Sequence, residues 1–373
     1  MIRRLLLAAL LLTALPATAA TPPARPAPPS LTARLQQVLE DFLAANPTAP
    51  GVSACVICPR LGLDWSGAAG HPARDSEEPL TPRHTFRIAS NTKTYVATSI
   101  LRLAEQGKLS IDDLLAKHLT EDERTLLASD GYDLNAITLR HVLSHTSGLD
   151  EHPADDRFEA TILADPQHQW TREEQVRRCV EWRDPIGAPG ERYKYSDTGY
   201  VLLGGIIERM TGRNLGQAVH ELVDFDRLGL RSTWWEVNEP TPANAGPRAH
   251  QYYGDRDTYD WNPSLDLYGG GGMLTDVRDL GRFMRMLLKG QVLQNEASLA
   301  AMTGDGTPPY RLGLMCMELD GKMAWGHQGF WNTFAFHVPS MDLTVSGCVL
   351  DHHATNGRGL AAELVTAARA GEK

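Results

Sequence analysis

Beyond its first fifteen residues the chain has no apolar run long enough to cross a bilayer. It is short of positive charge: 36 Lys and Arg face 46 Asp and Glu, a formal net charge of −10. Nucleic acid is therefore not an expected partner, because a polyphosphate demands a basic face. Cysteine is sparse and odd in number, five in 373 residues, which excludes a fully paired disulfide scaffold. One disulfide in an oxidising compartment stays open, with no pair singled out. There is no GxSxG elbow, no HExxH and no Gly-Lys-Ser/Thr after Gly269–Gly272. Those absences remove the α/β-hydrolase, zinc-peptidase and phosphate-loop readings. No repeat of solenoid period is present either.

What is present begins with a leader. Arg3 and Arg4 precede the apolar stretch Leu5 to Leu15, and Ala17-Thr18-Ala19 forms a cleavage-like site. The expected organisation is a signal peptide (1–19), a Pro-rich extended linker (20–30) and one domain (31–370). No cysteine stands directly after the cleavage site, so no stable membrane anchor is expected, and the expected address is periplasmic or secreted.

Apolar spacing predicts a helix from Leu31 to Ala45, with Leu35, Val38, Leu39 and Phe42 on one side. Gly51–Cys58 and Leu61–Ala69 read as strands around a turn. Cys55 and Cys58, three apart on a strand, face opposite sides and make a poor redox or zinc pair. A helix follows Ser90, with Val96, Ile100, Leu101 and Leu103 as its buried stripe and Gly107 ending it. Residues 107–264 read as a mainly helical insertion, including Leu139–Leu143 and Tyr200–Met210. Pro240–Pro263 reads as a loop. A helix from Asp276 to Leu288 takes Thr275 as its N-cap. Strand signals return at Tyr310–Glu318, Lys322–Trp325, Thr333–Val338 and Leu343–Leu350, before a last helix near Gly357–Ala370. The fold class is α+β: an antiparallel sheet built from both chain ends (about 31–106 and 265–370), flanked by helices.

Ser90-Asn91-Thr92-Lys93 places a hydroxyl and an amine three residues apart at a helix start, on one face. A serine becomes a nucleophile when a neighbouring base takes its proton, and burial lowers a lysine's pKa toward that role. A helix N-terminus also offers N–H groups to a developing oxyanion. Alone, a serine three residues before a lysine is weak. Tyr195-Ser196-Asp197, in a loop before the Tyr200 helix, and His327-Gln328-Gly329, at a strand end, strengthen it. A tyrosine shuttles protons where cations lower its pKa, and a glycine lets a strand edge approach closely.

This order, SxxK, then Tyr-Ser-Asp, then His-x-Gly, resembles the serine β-lactamase and penicillin-binding superfamily. Leu143–Leu149 and Gly270–Thr275 also resemble its class C branch, which includes D-alanyl-D-alanine carboxypeptidases, D-aminopeptidases and esterases. The resemblance covers about residues 41–368 and implies a β-lactamase/transpeptidase-like fold. It implies that Ser90 is acylated, that Lys93 helps deprotonate it, and that Tyr195 is base and then acid. It gives the N–H groups of Ser90 and Phe330 to an oxyanion hole, and sets Asp197, His327 and Gly329 beside substrate. No metal or organic cofactor is implied. Partners would be small esters, amides or D-peptides, peptidoglycan-derived ones included.

Two departures from the pattern matter. The middle motif ends in Asp197 rather than Asn; a carboxylate beside Lys93 favours the ammonium and shifts the base role to Tyr195. His327 stands where class C β-lactamases generally carry lysine, and a mostly neutral imidazole grips a carboxylate less firmly. Peptidase or esterase activity is therefore expected over efficient cephalosporin hydrolysis. The rivals are a true β-lactamase, a non-catalytic ligand-binding member of the fold and a cell-envelope interaction protein. Among other features, His141 and His145 read as structural residues near a turn. Asp150, Glu151, His152, Asp155 and Asp156 read as a solvated acidic loop. Trp234, Trp235, Tyr252, Tyr253, Tyr259 and Trp261 read as loop packing or, with Trp331, as a lid on an apolar pocket.

Overall fold

The computed structural model describes residues 30–304 and 309–371. The expected signal peptide and all but the end of the linker lie outside them. Eleven strands are present among these residues: β1 (Gly51–Cys58), β2 (Leu63–Gly70), β3 (Phe86–Arg87), β4 (Trp234–Trp235), β5 (Tyr252–Tyr253), β6 (Arg256–Asp257), β7 (Met273–Thr275), β8 (Met315–Leu319), β9 (Lys322–Gly329), β10 (Thr333–Val338) and β11 (Leu343–Val349). Six of them form one antiparallel sheet in the order β2-β1-β11-β10-β9-β8. The strand from the start of the chain lies beside the strand from its end, with Val52 opposite Val349.

Period-two alternation sorts the side chains of that sheet. Val52, Ala54, Val56 and Cys58 of β1, with Leu343 and Val345 of β11, meet the helices Leu31–Ala45 and Gly357–Arg369. Cys55 and Cys348 face the opposite core, toward the helix Val277–Leu288. Cys55 and Cys58 are thus on opposite faces, and Cys55, Cys179, Cys316 and Cys348 carry free thiols. Gly281 lets that helix press on the sheet: a Cβ there would lie 2.6 Å from Ser346 Oγ. Leu35, Leu39, Leu343, Leu360 and Leu364 are fully buried, and each contributes about 2 kcal/mol by leaving water.

Between the two halves of the sheet the chain is mostly helical, with β3 to β7 as short exceptions. The helix Thr92–Glu105 packs against Asp197–Thr211 and Leu215–Val223. It is buried all round from Thr92 to Leu101, not along one stripe. Two of its hydroxyls are satisfied within the helix: Thr98 and Ser99 donate to the carbonyls of Thr94 and Tyr95 at 2.7 and 2.9 Å. Several boundaries differ from expectation, among them β9, which runs on from Trp325 to Gly329, and the starts of two helices. Asp276, not Thr275, caps Val277–Leu288, because its carboxylate accepts from the N–H groups of Arg278 and Asp279 while Thr275 ends β7. The helix after Tyr195 begins at Asp197, because Ser196 accepts from Gly199 N and acts as N-cap. Among the described residues no helix is long and apolar enough to cross a membrane.

Candidate active site

Ser90 lies in the tight turn Ala89–Asn91 that runs into the helix Thr92–Glu105. The turn is strained, since Ala89 holds a left-handed φ of 46°. A lattice of side chains holds it there. Thr333 Oγ1 donates to the Ile88 carbonyl at 2.9 Å, and Asn91 Nδ2 donates to Thr333 Oγ1 at 3.0 Å. Gly329 lies against that same carbonyl, 2.2 Å from where a Cβ would sit. Only glycine lets the end of β9 come so close, and this approach sets Phe330 beside Ser90.

Lys93 is fully buried. Its Nζ donates to Ser90 Oγ at 2.9 Å and to the Gly270 carbonyl at 2.7 Å, and it forms an ion pair with Asp197. Three acceptors take the three N–H groups of an ammonium. The amine also lies 5.0 Å from the Tyr195 ring centre, a further contact favouring positive charge. Burial pushes the Asp197 carboxyl up, but the Lys93 charge and hydrogen bond bring it below its ordinary value. Asp197 sits at the first turn of its helix, where the dipole also favours an anion.

Tyr195 reverses one expectation. Burial, and then the Asp197 carboxylate, push its phenol well above the usual range, although a hydrogen bond from Ser90 pulls the other way. Its ring rests on His145 at 4.3 Å between centres, and His145 in turn meets Tyr310 at 4.4 Å. His327 lies at the edge of this bed with no exposed surface. Burial and the Lys93 charge push its imidazole down to about 3. Its ring sits under the site rather than in the opening.

The opening is a cleft partly open to solvent. Ser90, Asp197 and Phe330 line it; Lys93 and His327 lie beneath. Tyr253, Trp261 and Trp331 also line it, as the lid reading expects. Trp234 and Trp235 do not, being buried in the small sheet β3-β7-β4, and Tyr259 stacks on His250 at 4.2 Å. Phe158, Ile162, Leu265, Glu159 and Asp266, with Pro153 and Leu163, complete the walls, and none carries a sequence signal. Tyr310 was legible only as the start of a strand.

The acidic segment 150–156 is not simply solvated. Asp150 is buried and paired with Arg183 at 2.8 Å and Lys194 at 3.3 Å. His152 donates or accepts at Thr198 Oγ1, 3.0 Å away, and Asp155 caps a helix. Burial and Asp197 push Glu151 up to about 7. His141 closes a capping box with Thr138, and buried His145 accepts from Ser196 N at 3.1 Å, so each is tied to a turn. Among the described residues no group of His, Cys, Asp or Glu could hold a metal ion.

With this geometry in view, known proteins give consistent matches. Esterase EstB of Burkholderia gladioli is 32% identical over 218 residues, 57% of this chain and 53% of its own. Protein flp of Staphylococcus aureus strain MW2 is 29% identical over 253 residues, 65% of this chain and 48% of its own. The chain thus spans about half the length of these curated relatives. A D-stereospecific amidohydrolase from Streptomyces sp. superposes with TM-score 0.74 at 29% identity, over 90% of this chain and 98% of that one. The D-amino acid amidase of Ochrobactrum anthropi SV3, complexed with L-phenylalanine amide, shares the fold at TM-score 0.77 and 23% identity, over 92% and 99%. The family model described as Beta-lactamase matches residues 35–367, nearly all of the described chain, and the protein belongs to that family.

Proposed function

We propose that this protein is a serine hydrolase that acylates Ser90 and then passes the acyl group to water. Esters and D-amino-acid amides or peptides are its substrates. The observation that carries this reading is the 2.9 Å contact between Ser90 Oγ and the buried Lys93 Nζ. An esterase and a D-stereospecific amidohydrolase among its relatives support the substrate range.

The protonation states constrain the path. A phenol held well above its usual range does not wait as a free base. Tyr195 acts instead as a relay. Ser90 Oγ bonds to the acyl carbon, its proton passes to Tyr195 Oη, and the tyrosine's own proton leaves with the amine or alcohol. The C–N or C–O bond breaks, and Tyr195 stays neutral. Water then adds by the reverse relay, its proton returning through Tyr195 to Ser90 and its hydroxyl leaving in the acid product. Lys93 supplies fixed positive charge at Ser90 Oγ, and the N–H groups of Ser90 and Phe330 receive the oxyanion. The neutral His327 offers no charge to a substrate carboxylate, which favours this reading over a true β-lactamase. Export to the periplasm or beyond belongs to the same proposal and rests on the leader at residues 1–19.

Hydrolysis of p-nitrophenyl butyrate and of phenylalanine amide, with intact mass after phenylmethylsulfonyl fluoride, tests it. Wild type should turn over at least one substrate and gain one adduct, and Ser90→Ala should do neither. Turnover that survives Ser90→Ala would sink the reading.

A further inference from the structure

The cleft is charged with one sign only. Its charged walls are Glu159, Asp197 and Asp266, and no Lys, Arg or His lines it. Two of these carboxylates are occupied. Asp197 pairs with Lys93, and Glu159 accepts from the Tyr253 hydroxyl at 2.6 Å. Asp266 has no hydrogen-bond or ion-pair partner among the described residues, although protein surrounds it except where it lines the cleft and a small void behind.

The place of Asp266 is tightly defined. It ends the short turn Pro263–Asp266, and its carboxylate lies on the backbone of Gly271, 1.9 Å from where a Cβ would sit. The neighbouring Gly270 gives its carbonyl to Lys93. Asp266 is therefore one residue away from the group that supports the nucleophile. The cations near it are both engaged. Lys93 is spent on Ser90, Gly270 and Asp197. Arg87 is forked onto Glu236 at 2.8 and 3.1 Å and bonds the Trp261 carbonyl at 2.8 Å. A screened carboxylate without a partner is costly unless something that binds there supplies one. Burial, and then the Asp197 charge, push this carboxyl up to about 7, which an arriving cation would reverse.

We propose that Asp266 receives the protonated amine of the substrate, so that Ser90 prefers acyl groups carrying a free amine next to an apolar side chain. Phe158, Ile162, Trp261, Leu265 and Trp331 take that side chain. Amino-acid amides and esters are thereby chosen over their N-acylated forms and over ligands that present a carboxylate. This rests on the serine hydrolase reading, which p-nitrophenyl butyrate turnover, lost in Ser90→Ala, checks separately.

The experiment compares kcat/KM for phenylalanine p-nitroanilide, both enantiomers, with the N-acetyl forms. Wild type should favour the free amine by at least about tenfold, because a site built to bond a polar group rejects the analogue lacking it. Asp266→Asn should bring that ratio toward one, chiefly through KM. Inhibition of wild-type butyrate hydrolysis by 2-phenylethylamine and by 3-phenylpropionate repeats the question without a variant, and the amine should act at far lower concentration. Ester turnover with no preference between amine and N-acetyl forms would overturn the proposal while leaving the hydrolase standing. So would an unchanged preference in Asp266→Asn, or equal inhibition by amine and acid. No turnover of ester or anilide would remove both.

Discussion

The Tyr310 hydroxyl donates to Nε2 of His327 at 3.1 Å, while Nδ1 of the same ring lies 2.6 Å from the Gln328 carbonyl. A carbonyl only accepts, so Nδ1 carries the hydrogen and Nε2 is the acceptor. Both nitrogens are used, and the ring is neutral down to about pH 3. Acidifying from pH 7 to 5 should therefore recruit no positive charge at this position. Cephalosporin turnover should stay slow and show no rise with an apparent pKa near 6.5, as a steady-state pH profile will report. Tyr310→Phe should cost about 1 kcal/mol of stability in urea unfolding, by leaving Nε2 unpaired.

The relay assigned to Tyr195 separates its loss from the loss of Lys93. Tyr195→Phe should lower kcat by about a thousandfold on ester substrates with little change in Tm, since only the proton path is cut. Lys93→Met should lower activity and also Tm, because it leaves the enclosed Asp197 without its cation. Near-normal turnover in Tyr195→Phe beside an inactive Lys93→Met would reject the relay.

Gly329→Ala tests the close approach of β9 to the Ser90 turn. A methyl group there meets the Ile88 carbonyl and Thr333 Oγ1, at 2.2 and 2.3 Å. The strand must retreat, taking Phe330 with it, so kcat should fall by about tenfold or more while the far side of the sheet is untouched. Thermal unfolding and butyrate hydrolysis measured together will show whether activity falls further than stability does.

Asp266→Asn makes a prediction about stability as well as specificity. The folded carboxyl titrates near 7, well above its usual value. The folded state thus holds a proton that the unfolded state has lost, and stability drains away as pH rises from about 4 to 7. An amide does not titrate. The variant should match wild type in Tm near pH 4 and exceed it increasingly up to pH 8. A Tm difference that is flat with pH would show that the carboxylate is not strained in the unliganded protein.

Legibility followed pattern strength. The spans of β1 and β10 were readable as short, mostly apolar runs between turns, both faces of each being buried, and the helix Leu31–Ala45 because helical spacing leaves it a polar face. The helix Thr92–Glu105 was located, but its all-round burial was not, since Thr94, Thr98 and Ser99 look solvent-facing until their hydroxyls find carbonyls. Ser90, Lys93, Tyr195 and Asp197 stood out because their chemistry is packed into short motifs, and the structure brings them together. Asp266 and Tyr310 did not, because an aspartate in a turn or a tyrosine in a strand-like run has no spacing to betray it. Only the third dimension sets Asp266 against Gly271 and Tyr310 against His327.

The pairing of β1 with β11 governs when the site comes into being. Ser90 belongs to the first third of the chain, yet Thr333 and Gly329, which hold its turn, belong to the last fifth. The sheet that carries them joins residues nearly three hundred positions apart, with Val52 against Val349. Contacts of such separation are made late and slowly, after the local helices. A chain still being made, or one ending before β9, has a serine but no taut turn to present it. The proposed Ser90 site is thus complete only once both ends of the chain have met in the sheet.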